Sequence, residues 1–239
     1  MMPVYRIRTW HRWLGVGVGA QLLLWVISGL FFAWTDIDEI HGDHLRVFPE
    51  PVTVSTAWVS PTSVIADLGF ESPGLVGVRA INLLERSTWV LTLLDDEEQH
   101  IVMADAETGV VRVSLTQNEA LALAVSSFAP KVPVLDVILL DSTEIGAHHE
   151  YRGGEMPVWR ISFDHGSGTR VYVSARSGRV VTHRNSPWRA FDFLWMLHTM
   201  DYAGRDDINT PQLRIVSSAA LLMVLSGYWL FMRTRRKRQ

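Results

Sequence analysis

The chain has 239 residues, 22 Lys/Arg against 25 Asp/Glu, a formal net charge of −3 and no cysteine. The missing thiol excludes disulfides, cysteine-ligated iron–sulfur clusters, thioether-attached haem and thiol catalysis. No nucleic-acid partner is expected.

The first element is an apolar run, Leu14–Trp34, uncharged for 21 residues. As a helix it reaches roughly 31 Å, the thickness of a bilayer's hydrocarbon core. Trp10, Trp13 and Trp34 flank it like an aromatic belt. The run is longer than a signal-peptide core, and no small-x-small cleavage site follows Phe32, so a retained anchor is expected. His11, Gly15 and Gly19 recur every four residues and share one helical face. Two readings stand even here. In one, His11 snorkels to water and the glycines let two helices approach closely. In the other, the imidazole and the open glycine face admit a flat cofactor.

Asp36-Ile-Asp-Glu-Ile-His41-Gly-Asp-His44 follows directly. It reads either as a solvated acidic turn or as a metal site, with Asp36, Asp38, His41 and His44 as candidate ligands. Beyond it lies a degenerate repeat. Ser60-Pro61 opens one helix as N-cap and first helical residue, and Thr116-Gln-Asn-Glu119 opens a second as a capping box. Strands are predicted at Gly77–Leu84 and Thr88–Leu94 in the first copy. Val134–Leu140 and Val158–Phe163 match them in the second. Each copy closes on a hairpin, Val102–Val113 or Val171–Thr182, whose turn ends in Gly109 or Gly178. The fold class is α+β, with room for one sizeable core or two small ones. Asp95–Glu98 with His100 reads as a charged hairpin tip. His148-His149-Glu150 is a further metal candidate in a Gly-rich stretch.

Pro187–Met200 places Phe191, Leu194, Trp195 and His198 on one face, as in an amphipathic helix at the outer interface. Such a histidine is either a hydrogen-bonded packing residue or a ligand. Arg205 pairs with Asp206 or Asp207, or meets an acidic group of a cofactor. Thr210 caps and Pro211 opens the second span, whose apolar run Ile215–Met232 reaches roughly 27 Å. All 25 acidic residues lie between the two runs, with 14 of the 22 basic ones. The other eight basic residues flank the runs on the outside. Basic flanks stay in the cytoplasm, so both termini are expected inside and the large loop outside.

Several local motifs resemble the PepSY-associated transmembrane family. They are His11-Arg-Trp-Leu-Gly15, Ser28-Gly29-Leu30, Leu197-His198-Thr-Met-Asp201-Tyr202, Arg205-Asp-Asp-Ile-Asn-Thr-Pro211 and Leu225-Ser-Gly-Tyr-Trp229. The hairpins resemble those of the PepSY module. The resemblance implies an α+β membrane protein, with two transmembrane helices flanking a periplasmic region of two helix-plus-antiparallel-sheet modules. Residues 1–40 would hold the cytoplasmic N-terminus and first span, and 41–113 and 114–185 the two modules. Residues 186–210 would be the interfacial helix and loop, and 211–239 the second span with its basic tail. Small two-span members are linked to bacterial iron acquisition. The resemblance therefore implies a haem-dependent reductase of ferric iron or ferric siderophores at the bacterial inner membrane.

On that reading haem b is held by histidines. His11 and His41 lie 30 residues apart, roughly 45 Å if helical, so they cannot share one haem. No histidine ends the second span on its inner side. A six-coordinate inner haem then needs His11 from both chains of a homodimer, whose four helices form the cage. An outer haem would use His198 with His41 or His44, and Gly15 and Arg205 would contact the cofactor. No nicotinamide or flavin fingerprint is present, so the electron donor is a membrane quinol or a cytoplasmic reductase. The competing expectation is a haem-free anchored module that binds or regulates another envelope protein or an iron transporter.

Overall fold

A computed structural model of the protein describes residues 4–235, and these divide into two compact units. One is built from the two ends of the chain, up to Asp36 and from Arg189 onward. The other is Ile37–Trp188. The basic residues Arg236, Lys237 and Arg238, used above to argue orientation, lie outside the described residues.

In the first unit α1 (Val4–Trp34) packs along α6 (Pro211–Arg235). Both are long and apolar enough to cross a membrane. Only 11% and 6% of their most apolar windows are buried, which sets them apart from the core helices of a soluble protein. Leu23, Val26, Ile27 and Leu30 of α1 and Ile215, Leu221 and Leu222 of α6 point away from protein. The covered face of α1 is a stripe at helical spacing: His11, Leu14, Val18, Gln21, Trp25, Ser28 and Phe32. Val18 and Ala220 are the best-buried apolar residues of this pair. Thr210 caps α6 by accepting from Leu213 N at 3.1 Å, and Pro211 takes the first helical position.

The second unit holds two four-stranded antiparallel meanders. The first comprises β1 (Gly74–Leu83), β2 (Arg86–Asp95), β3 (Glu98–Asp105) and β4 (Val111–Arg112), preceded by the short α2 (Ile37–His41) and α3 (Pro61–Ala66). The second comprises β5 (Val134–Leu140), β6 (Val158–Phe163), β7 (Arg170–Ser174) and β8 (Val180–Arg184), preceded by α4 (Gln117–Ser127). The capping box of α4 forms fully, with Glu119 N donating to Thr116 Oγ1 and Thr116 N to Glu119 Oε2.

Strand alternation explains how the sheets are covered. Leu91 and Ala104 face one side of the first sheet and pack under Val64 of α3. Val90 and Met103 face the other side and join Leu83 in one core with Ala120, Leu123 and Phe128 around α4 and with Ile161, Val171 and Val173 of the second sheet. The two sheets therefore share a single core. Gly178 shows how tightly they meet. Its φ of 66° favours glycine, and a Cβ there would sit 3.0 Å from Leu83 Cδ1.

The segment after α1 is tied to this core. Ile40 is buried, and Asn185 Nδ2 donates to Glu39 O at 2.9 Å. Val47 N donates to Ser127 O, and Ala129 N to Leu45 O. His183 lies buried nearby, its Nε2 3.2 Å from Ser127 Oγ. Burial, with Arg46 close by, pushes its pKa down to about 4 and keeps it neutral.

Candidate functional site

The site residues that sequence placed at the edges of the spans are His11 and His198. In α1, His11 turns toward α6. Its Nδ1 lies 2.8 Å from Ser226 Oγ, and its ring rests against Gly227. A Cβ at 227 would stand 3.2 Å from His11 Cε1, so a small residue is needed for the ring to lie there. Gly15 and Gly19, one and two turns further along, have open space where a side chain would be. They are not pressed against a helix of this chain.

His198 sits near the C-terminal end of α5 (Ser186–Thr199). Its Nδ1 lies 2.8 Å from Ser28 Oγ of α1. Trp25 Nε1 donates to His198 O at 2.8 Å, and Gln21 Nε2 to Leu197 O at 3.0 Å. Phe32, Trp25 and Trp195 surround the imidazole with ring centroids 5.6, 6.3 and 6.5 Å away. Burial lowers the pKa of this histidine, favouring the neutral ring. The aromatic face expected at a lipid interface is thus turned onto α1. Its contacts run from Phe191 at Phe32 to Leu197 at Gln21, along the C-terminal half of that helix.

The loop after α5 is organised by Asp201. Its Oδ1 accepts from Ala203 N and Gly204 N, and its Oδ2 from Asp206 N and Asp207 N, all between 2.9 and 3.2 Å. These donors hold its pKa near 2. Arg205, at φ 68°, pairs with Asp192 of α5 at 2.7 Å. The expected partners were Asp206 and Asp207. Their backbones serve Asp201 instead, and the left-handed turn at Arg205 aims its side chain back at α5. Because the folded pKa of Asp201 lies below the ordinary carboxylate value of 3.8, its contribution is complete above about pH 4 and lost as pH falls through about 2. Asp201→Asn is expected to lower thermal stability at pH 7, and the gap to the unmodified protein should close on acidification toward pH 2. A thermal melt series in detergent measures both.

The remaining candidates lie elsewhere. His41 and His44 are exposed, on α2 and on the 3-10 turn Asp43–Leu45. Asp36 and Asp38 are exposed as well. Among the described residues no three His, Asp or Glu side chains converge on a metal position. Glu150 is already engaged, accepting from Tyr172 OH at 2.6 Å and Arg170 Nη1 at 3.1 Å.

Sequence reasoning missed the partners of the two histidines. Ser28 and Ser226 received no role, although each begins a Ser-Gly dipeptide in the middle of a span. A hydroxyl within an apolar helix was the available signal, since it must find a hydrogen-bond partner there.

A family model described as a PepSY-associated TM region matches residues 8–239 of the chain. Neither a curated protein nor a solved structure gives a significant match.

Proposed function

The chain belongs to the PepSY-associated transmembrane family, and from that premise we propose that it is a haem-binding electron-transfer protein of a bacterial inner membrane. Both termini face the cytoplasm, and the unit spanning Ile37–Trp188 faces the periplasm. Electrons from a quinol or a cytoplasmic reductase pass outward to ferric iron or a ferric siderophore.

The observation that carries this reading is the common setting of the two histidines. Each is clamped through Nδ1 to a serine of a neighbouring helix, and the hydrogen bond leaves Nε2 for a ligand. Along α1 the anchor points His11 and Ser28 are 17 residues apart, about 25 Å. That separation gives one site toward each end of the span pair. An imidazole donor set suits haem b, and Gly15, one turn from His11, leaves that face of α1 without a side chain or a neighbouring atom of this chain.

Bound there, haem supplies one-electron chemistry without a side-chain acid or base. The chain's own residues do the rest. His11 would hold the inner haem together with His11 of a second copy. His198 would hold the outer haem. Trp25, Phe32 and Trp195 shield His198 from water, and the Asp201 loop with the Arg205–Asp192 pair fixes the end of α5.

The test is an absorbance spectrum of the full-length protein purified in mild detergent, together with its native mass. A Soret band that shifts with dithionite and a dimeric mass are expected. A colourless protein from a haem-replete host would leave the haem-free anchored binding module as the function.

A further inference from the structure

Two Ser-Gly dipeptides stand in this chain's spans, Ser28-Gly29 in α1 and Ser226-Gly227 in α6. Each serine takes up one histidine at the same distance. Ser28 Oγ lies 2.8 Å from His198 Nδ1, and Ser226 Oγ lies 2.8 Å from His11 Nδ1. The other contacts of the two hydroxyls also agree. Ser28 Oγ lies 2.8 Å from Leu24 O and 3.2 Å from Trp25 O. Ser226 Oγ lies 2.8 Å from Met223 O.

A hydroxyl has one proton, and a carbonyl oxygen can only accept. Were that proton directed at the histidine, oxygen lone pairs would oppose each other at 2.8 Å in an apolar setting. The proton therefore goes to the helix carbonyl, and the hydroxyl oxygen accepts from the ring. We infer that Ser28 and Ser226 are positioning residues that fix His198 and His11 in the Nδ1–H tautomer, presenting the Nε2 lone pair to a ligand. Neither Nε2 takes a hydrogen bond among the described residues. The serines fix two variables at once, the tautomer and the plane of the ring. An imidazole free to rotate would pay for both on binding.

The tautomer assignment stands on hydrogen-bond geometry alone. Its consequence for haem rests on the function proposed above, so the experiment keeps the two apart. Imidazole 15N spectra of the haem-free full-length protein in detergent read the tautomer directly. In the unmodified chain His11 and His198 should show a protonated Nδ1 and a lone-pair Nε2. Ser28→Ala should convert His198 alone to a mixture or to the Nε2–H form, and Ser226→Ala should do so for His11 alone. Serine-to-threonine variants, which keep the hydroxyl, should retain the original tautomer. An Nε2–H signal in the unmodified protein, or one unmoved by both alanine variants, overturns the inference whatever the protein binds.

In haem-loaded protein each alanine variant should hold haem about 10- to 100-fold less tightly at its own site. The midpoint potential of that site should rise, because the ligand loses the partner that makes it a better donor. An unchanged affinity and potential would deny the serines any role toward haem, even with the tautomers as assigned. A protein with the expected tautomers and no affinity for haem would instead refute the proposed function and leave the serine assignment standing.

Discussion

Replacing His11 and His198 singly is expected to strip haem from the protein in two independent steps. The proposed ligand sets give three haems per dimer, one inner and two outer, so His11→Ala should keep about two-thirds of the bound haem and His198→Ala about one-third. The double variant should be colourless. Outward electron transfer should fail in both single variants, because a relay about 25 Å long has no path around a missing station. Pyridine haemochrome content per protein monomer measures the first effect. Dithionite reduction of vesicle-enclosed protein, followed by release of ferrous iron on the other face, measures the second. If His11→Ala retained the full complement of haem, the inner site and the dimer built on it would both be wrong.

The second large effect is expected at Phe128. This ring is fully buried, lies 4.6 Å from Phe163 and sits in the core that joins α4 to both sheets. Phe128→Ala should cost about 3–5 kcal/mol, through lost transfer energy and a cavity its neighbours cannot close. The cost should appear equally in both sheets. Hydrogen exchange of β2 and β6 amides in the full-length protein should accelerate together, by more than about 100-fold, if they open only with the whole unit. Acceleration confined to β5–β8 would mean two separable cores.

Much of this architecture was legible in the sequence. Val134–Leu140 and Val158–Phe163 occur as strands with the expected ends, and Val4–Trp34 and Pro211–Arg235 contain the two apolar runs. The caps at Ser60, Thr116 and Thr210 form as their residue types require. These features are local, so a short window of sequence carries their full cause. β1 begins at Gly74, ahead of the expected Gly77, because pairing with β2 extends it past a register shift between Leu75 and Gly77. Pairing partners are not written in a strand's own composition.

The site was half legible. His11 and His198 stood out as imidazoles beside lipid, a placement that demands a partner. Their partners did not stand out, because Ser28 is 170 residues from His198 and Ser226 is 215 from His11. Arg205 was read with its neighbours in sequence and pairs with Asp192, 13 residues earlier. In each case the missing information was which helix comes alongside which, and that follows from packing over the whole chain.

The common core of the two sheets has a corollary for the backbone itself. Phe128 and Ile161 on one side and Leu83 and Met103 on the other bury each other whether or not the peptide between β4 and α4 is intact. Cleavage in that connector would yield fragments that stay associated and complement one another. Neither half could be expressed alone without exposing an oily surface to the solvent.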